Sequence, residues 1–254
     1  MQENNNTELP HDIISLPSNG KFYKNGCNKV KVYYLTATDE SILTSQNLIN
    51  SGNVIPYLLD KKVAAVDETT PFVTPSEMIN GDRLAILIWL RISLNHLYKF
   101  KILNEINGKE ELVEFDLTTL KVKKTTQTPD NENYFDFKLP VSKDIVHFKL
   151  LTGEDDKIIK NNLRHFNTEE AYVLERLSRI VVKIHTNKTN EVITDPITIR
   201  ELLTRMRLGD SRALNAYMNK IEPSFDLNVE VETTTGIQKT ALNFGGDFFF
   251  PSDS

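Results

Sequence analysis

The chain has one cysteine and five histidines, the side chains most often used as nucleophiles, general bases or metal ligands. Cys27 lies between Gly26 and Asn28 in a predicted loop. A nucleophilic role would require a general base and a third, orienting group, and the sequence identifies neither. We therefore predict that Cys27 has no catalytic role. The histidines are widely separated, and none has the spacing of a metal-binding motif; they are His11, His96, His147, His165 and His185.

Two further segments resemble functional motifs only in part. Asn19-Gly20-Lys21 is similar to the end of a phosphate loop, but the first glycine of that motif is missing and Phe22 replaces the magnesium-binding hydroxyl, so we predict a turn. Glu154-Asp155-Asp156 places three carboxylates in different directions on a helix, and a solvated helix start explains them better than paired catalytic acids. We predict no catalytic residue, no metal and no cofactor.

Aromatic residues at both ends of the chain are the more informative feature. Three phenylalanines and a proline occupy positions 248–251, and an ordered aromatic segment near a chain end must pack against something. These rings either close the core of the monomer or anchor a partner protein, and the same two alternatives apply to positions 22 and 23. The candidate interaction residues are Phe22, Tyr23, Phe248, Phe249, Phe250 and Pro251.

Composition excludes several classes of protein. The 254 residues include 30 basic and 35 acidic side chains, a net charge of −5, which argues against a dedicated nucleic-acid binder. The longest apolar run, 84–90, is far too short to span a bilayer, and the polar, acidic first ten residues do not resemble a signal peptide. A single cysteine excludes an internal disulfide. We expect a soluble globular protein of a reducing compartment.

The first half of the chain predicts strands, helices and one hairpin. Residues 1–12 are predicted to be a mobile tail, followed by a turn at 16–23 and a strand at 29–35. Helices are predicted after Thr38 and over 54–63. Thr74-Pro75-Ser76-Glu77 has the form of a capping box and predicts another helix start. The next elements are the most buried helix at 82–92 and a hairpin turned at Asn107-Gly108; their residues are given in the printed sequence.

The second half predicts a loop, two strands, a helical cluster and a final hairpin. The loop covers 121–133, with strands at 134–139 and 145–151. Helices are predicted over 154–162, over 168–184, after Thr194 and before Pro223, and the hairpin turns at Thr235-Gly236. We therefore predict an α+β fold with an N-terminal strand-and-helix unit, a central β-hairpin region, a helical cluster and a C-terminal β-hairpin. Residues 13–120 and 134–254 form two lobes or one continuous fold.

Several of these segments together resemble the baseplate hub proteins of T-even-type bacteriophages. The likeness covers about two-thirds of the chain and leaves residues 121–165 unaccounted for. Its most specific parts are Pro17-Ser18-Asn19-Gly20-Lys21-Phe22-Tyr23 at the start and Phe248-Phe249-Phe250-Pro251 at the end, with Asp82-Arg83, Leu90-Arg91-Ile92, the segment 202–218 and the strand before Thr235-Gly236 between them. The length is closer to that of the family's assembly factor than to that of its shorter hub subunit.

The resemblance implies a non-enzymatic factor that binds other baseplate hub proteins in the cytoplasm of the infected bacterial host and promotes their association. We expect this factor to bind no nucleic acid and to have no membrane-spanning segment. The alternatives are a structural hub subunit retained in the virion and, from another class, a hydrolase of unknown substrate. Related phage proteins carry paired cysteines in both hairpins. Here the segments 103–108 and 232–236 contain none, so no zinc site carries over.

Overall fold

A computed structural model describes residues 9–125, 127–163, 168–242 and 248–249, with only the backbone described at 169 and 170. Its helices are α1 (Ala37–Leu43), α2 (Gln46–Ser51), α3 (Val54–Lys62), α4 (Asn80–Leu94), α5 (Gly153–Asn162), α6 (Glu169–Ile180), α7 (Pro196–Thr204) and α8 (Leu208–Ile221). A short 3₁₀ helix spans Leu117–Thr119. Its strands are β1 (His11–Ser15), β2 (Lys29–Tyr33), β3 (Val63–Ala64), β4 (Leu97–Leu103), β5 (Glu110–Asp116), β6 (Val122–Lys123), β7 (Phe135–Lys138), β8 (Ile145–Phe148), β9 (Val181–His185), β10 (Val192–Ile193), β11 (Ser224–Phe225), β12 (Asn228–Thr233) and β13 (Gly236–Ala241).

Every strand pairing in the described residues is antiparallel. One sheet has the order β1-β2-β3 and another the order β10-β9-β8-β7, while β4-β5, β12-β13 and β6-β11 are two-stranded. Small antiparallel sheets combined with eight α-helices in these residues confirm the predicted α+β class. Both predicted hairpins are confirmed: β4 pairs with β5 around Gly108, and β12 pairs with β13 around the turn before Gly236.

Helix α4 lies at the centre of the core. Its buried side chains include Ile86, Ile88 and Leu90, each less than 2% exposed, and burying a large aliphatic side chain contributes on the order of 1.5–3 kcal/mol. The same helix buries three charged residues, Asp82, Arg83 and Arg91. Buried charges require bonding partners, so α4 is also where distant segments of the chain are fixed to the core.

One hydrophobic cluster runs through both predicted lobes, from Leu16 to Phe249. The segment 121–133, predicted as a loop, contains the short strand β6, which pairs with β11. The predicted tail is too long: His11 and Asp12 belong to β1 and pair with β2. The mobility predicted for residues 1–8 falls outside the described residues.

The helix predicted over 168–184 is wrong in its last turn. Helix α6 ends at Ile180, and Val181–His185 form β9, which pairs with β8 and β10. The apolar residues Val181 and Ile184 keep the three-residue spacing of the preceding helix. Both are β-branched, however, and such side chains fit a pleated sheet well. Pairing with β8 decides the conformation.

The helix start predicted at Thr74 is also wrong. Glu77 Oε2 accepts from the backbone N–H of Thr74 at 3.0 Å, as in a capping box, but the Thr74 hydroxyl donates to the same oxygen at 2.7 Å, where a capping box would have it accept a backbone N–H. They close a single turn, because Ile79 is extended (φ −63°, ψ 153°) and bridges to Thr152. The helix therefore begins at Asn80.

The two hairpins are fastened to each other at their turns. Glu111 of β5 accepts from the backbone N–H and hydroxyl of Thr234, at 2.9 and 2.5 Å. Asn104, which is fully buried, hydrogen-bonds Thr235 Oγ1 through its side chain at 2.8 Å. The two hairpin turns are thus joined by hydrogen bonds that span 123 and 131 positions of the chain.

Candidate interaction surface

The N-terminal turn is attached to helix α4 through the buried carboxylate of Asp82. Oδ1 accepts from the backbone N–H of Ser18 at 2.9 Å, and Oδ2 accepts from the hydroxyl of Tyr23 at 2.7 Å. That hydroxyl in turn accepts from the backbone N–H of Ile79 at 3.1 Å. Burial raises the pKa of Asp82, and the two donated hydrogen bonds oppose the rise. Burial, followed by the neighbouring charge of Asp82, also raises the pKa of Tyr23.

Gly20 allows this turn to close. It adopts φ +75°, and an added Cβ would lie 2.5 Å from the carbonyl oxygen of Gly26. No L-residue with a side chain fits such a position without moving the backbone. The segment 17–23 is thus a packing motif, and the prediction of a turn in place of a phosphate loop agrees with this geometry.

The C-terminal aromatics are attached to the same helix by Arg91, which is 2% exposed. Its Nε donates to the carbonyl oxygen of Phe248 at 2.8 Å, and its other nitrogens donate to the carbonyls of Asn95 and Leu97. The guanidinium lies 5.8 Å from the ring centre of Tyr98, whose ring also meets that of Phe248 edge-to-face at 5.4 Å.

The structure places four of the six candidate interaction residues inside the monomer. Phe22 and Tyr23 are 7% and 8% exposed, and Phe248 and Phe249 are 3% and 6% exposed. All four rings belong to the monomer's hydrophobic core, and Phe22 and Tyr23 also line a surface pocket. Phe250 and Pro251 lie outside the described residues.

In the part of the chain that the structure describes, no hydrogen bond joins Cys27 to a histidine. Cys27 is fully buried and burial raises the pKa of its thiol, so the nucleophilic thiolate is disfavoured. His147 pairs with Asp136, and His165 lies outside the described residues. Within the described ranges no group of three or more histidine, cysteine or acidic residues has the geometry of a metal site, and no helix is long and apolar enough to cross a membrane.

The acidic run at the start of α5 is not simply solvated, which corrects the prediction. Asp155 is 1% exposed and bonds Lys149 Nζ and Arg179 Nε at 2.8 and 2.7 Å. Despite the opposing effect of burial, bonds led by that from Lys149 lower its pKa. Asp156 pairs with Arg83 at 3.0 Å. The run therefore holds α5 to its neighbours.

A surface groove lies where three segments meet: the β7–β8 turn, the β9–β10 turn and the junction of α7 and α8. We name it the α7–α8 groove; its volume is about 470 Å³. Leu139 and Ile184 are buried at its floor, and Leu202 and Met206 line its helical side. Asp210 holds the β7–β8 turn in place by accepting from two of its backbone N–H groups.

Sequence reasoning missed this groove. Its only local signal is Arg205-Met206-Arg207, two cations flanking an apolar residue between two helices. In the structure both arginine side chains are exposed at the groove. Neither they nor Lys188 on the facing turn has an ion pair or a side-chain hydrogen bond within the described residues, in contrast to the paired cations of α5 and its neighbours.

The chain was also compared with known proteins. No protein-family model, no curated protein and no solved structure matches it. The family resemblance therefore depends on the motifs themselves and on how they pack.

Proposed function

We propose that the protein is a non-enzymatic assembly factor for the baseplate hub of a contractile bacteriophage tail, acting in the cytoplasm of the infected host. It binds other hub proteins and favours their correct association. A factor of this kind needs only a higher affinity for one arrangement of its partners than for another, and no step requires it to break or form a covalent bond.

The observation that carries the proposal is that the motifs behind the resemblance meet on one helix. The opening motif contributes Ser18 and Tyr23, which bond Asp82 of the Asp82-Arg83 motif. The closing motif contributes Phe248, which bonds Arg91 of the Leu90-Arg91-Ile92 motif. Residues that contact each other across a fold are those that a shared fold would need to keep together. Their contacts support a common origin better than four isolated short matches would.

The experiment is affinity capture of the tagged protein from infected bacteria, followed by identification of the co-purifying proteins. We expect hub proteins of the tail among them, and none of comparable abundance from uninfected cells that produce the same tagged chain. Capture of host proteins alone, in both samples, would overturn the proposal.

A hub subunit retained in the particle is the second candidate, and mass spectrometry of purified virions distinguishes the two. A transient factor folds alone and leaves, so it should be recovered far below the amount of the hub proteins. A retained subunit would be recovered in stoichiometric amount and would bury a large apolar interface.

A further inference from the structure

We propose that the α7–α8 groove binds an acidic segment of a partner protein, with at least one apolar side chain between its carboxylates. The inference deepens the proposed function, on which it rests, because it names the chemistry by which an assembly factor would hold a hub protein. It is argued from the groove itself.

The floor of the groove determines the apolar part of the ligand. Leu139 and Ile184 are each 3% exposed at the bottom, while Leu202 and Val141 remain 36% and 43% exposed at the sides. Apolar side chains left partly open in a concavity of this volume gain free energy when an apolar group covers them. The groove therefore suits a leucine- or phenylalanine-sized side chain.

The rim determines the charge of the ligand. Arg205 and Arg207 flank Met206 on the helical side, with Lys188 opposite. In the described residues these three cations have no partner, although the chain as a whole carries a net charge of −5. The planar fork of arginine matches a carboxylate in bidentate geometry, and arginine is enriched at protein interfaces.

Three carboxylates also line the groove, and each already accepts a hydrogen bond. Asp144 and Glu191 lie on the strand turns, whereas Asp210 lies in α8. Asp210 is 1% exposed and accepts from the backbone N–H groups of Val141 and Ser142. Asp144 accepts from the backbone N–H of Asn187 at 2.8 Å, and Glu191 accepts from a threonine hydroxyl. Because Asp210 is buried and the two more accessible carboxylates lie on the strand turns, the acidic residues of the ligand should face Arg205 and Arg207.

A protein segment fits the groove better than a nucleic acid does. Binding of single-stranded nucleic acid combines cations with aromatic side chains on which bases stack. The lining of the groove, all of it within the described residues, contains no aromatic side chain. Its floor is aliphatic, as a leucine or phenylalanine anchor requires.

The test measures binding of the full chain to a fluorescein-labelled peptide, Gly-Asp-Glu-Leu-Asp-Phe-Glu-Gly, by fluorescence anisotropy. Two matched peptides carry lysine in place of every acid or serine in place of leucine and phenylalanine, and a single-stranded oligonucleotide is the fourth probe. The variant combines Arg205→Glu with Arg207→Glu. The control is Arg212→Glu, an exposed α8 arginine outside the groove.

We expect the acidic peptide to bind at least about tenfold more tightly than either matched peptide or the oligonucleotide. The double variant should lose about tenfold in affinity, the control should not, and added salt should weaken binding. Arg205→Gln with Arg207→Gln, whose fold is checked by circular dichroism, replaces the variant if charge reversal disturbs folding. Equal binding of the acidic and lysine peptides, tighter binding of the oligonucleotide, or unchanged binding by both arginine variants would overturn the inference.

Repeating the capture experiment with the double variant separates this inference from the proposed function. If the peptide does not bind but hub proteins are still captured, the groove assignment fails and the assembly role stands. If the peptide binds as expected but no hub protein is captured by either chain, the assembly role fails and the groove remains a binding site for acidic segments.

Discussion

Arg91 and Phe248 lie 157 positions apart in the chain and are joined by a 2.8 Å hydrogen bond from the guanidinium Nε to the backbone carbonyl oxygen. The same guanidinium bonds the carbonyls of Asn95 and Leu97. One buried cation therefore connects the C-terminal aromatic segment, the end of helix α4 and the start of strand β4.

Arg91→Met should destabilise the protein by about 2–4 kcal/mol. The substitution keeps most of the apolar stem but removes the donor to the buried carbonyl of Phe248, which then carries a desolvation penalty, and it removes two further bonds to the part-buried carbonyls of Asn95 and Leu97. The free energy of unfolding from urea titration measures the effect. Arg212→Met, at an exposed position of α8, is the matched control and should change it by less than about 0.5 kcal/mol. Equal effects of the two would show that the Arg91 bonds contribute nothing.

Tyr23→Phe should cost about 1–3 kcal/mol of unfolding free energy, since it removes a donor to the buried carboxylate of Asp82 and an acceptor for the N–H of Ile79. Guanidinium titration measures it. Tyr57→Phe is the control, because Tyr57 is 54% exposed. A variant as stable as the wild type would contradict the role assigned to this hydroxyl.

Loss of the Tyr23 hydroxyl should also alter the dependence of stability on pH. Burial already raises the pKa of Asp82 in the folded state, so its contribution is most favourable at low pH and falls as pH rises through the folded pKa. Tyr23→Phe removes one bond to the charged form and should raise that pKa further. The stability lost on substitution should therefore be larger at neutral pH than in acid. A loss that does not vary with pH would count against this account.

Gly20→Ala should be considerably more damaging than Gly108→Ala. Both glycines have positive φ, +75° and +69°, so alanine costs about 1–2 kcal/mol of backbone strain at either position. Only at Gly20 would the new Cβ meet a backbone oxygen, at 2.5 Å; at Gly108 nothing lies within 4 Å. Thermal unfolding of the two variants compares them directly, and equal melting temperatures would refute the close approach of the turn.

Glu111 should titrate with a pKa of about 2, because Thr234 donates its hydroxyl and its backbone N–H to this carboxylate, with smaller help from Asn107 and Asn104. The stabilisation is present above the unfolded pKa of about 4.3 and is lost as pH falls through about 2. NMR titration of the carboxyl carbon measures the pKa.

Thr234→Val should raise the pKa of Glu111 towards its ordinary value. Thr118→Val, which removes a hydroxyl bonded to Asp116 instead, should leave it unchanged. A normal pKa of Glu111 in the wild type would mean that the two hairpin turns are not fastened together in solution.

Local patterns predicted the elements that local chemistry decides. The hairpin at Asn107-Gly108, the helix predicted over 54–63 (α3) and the buried helix predicted at 82–92 (α4) follow from turn residues and periodicity alone. The final hairpin follows too, although its turn lies at Thr234-Thr235, one residue before the predicted Thr235-Gly236. Where the prediction failed, a distant partner decided the outcome: β8 draws Val181–His185 into a sheet, and Thr152 bridges to Ile79 so that the Thr74 turn cannot continue as a helix.

The candidate interaction residues and the α7–α8 groove also differ in how far the sequence alone predicts them. The aromatic residues were recognisable as anchors from their type, but only the position of Asp82 and Arg91 shows what they are anchored to. The α7–α8 groove was not predictable, because it requires two strand turns and a helix junction, far apart in sequence, to meet in space. The spacing of Arg205 and Arg207 in the sequence does not show that an apolar surface depression lies beside them.

The hydrogen bond between Asn104 and Thr235 has a kinetic consequence. It spans 131 positions, and the Ser18–Asp82 and Arg91–Phe248 bonds span 64 and 157. Contacts between residues so far apart in sequence slow folding, because the chain loses the conformational entropy of a large loop before the contact forms. Each hairpin can form by itself within microseconds. Refolding should therefore show fast formation of the hairpins, followed by a much slower phase in which the two hairpins pack together.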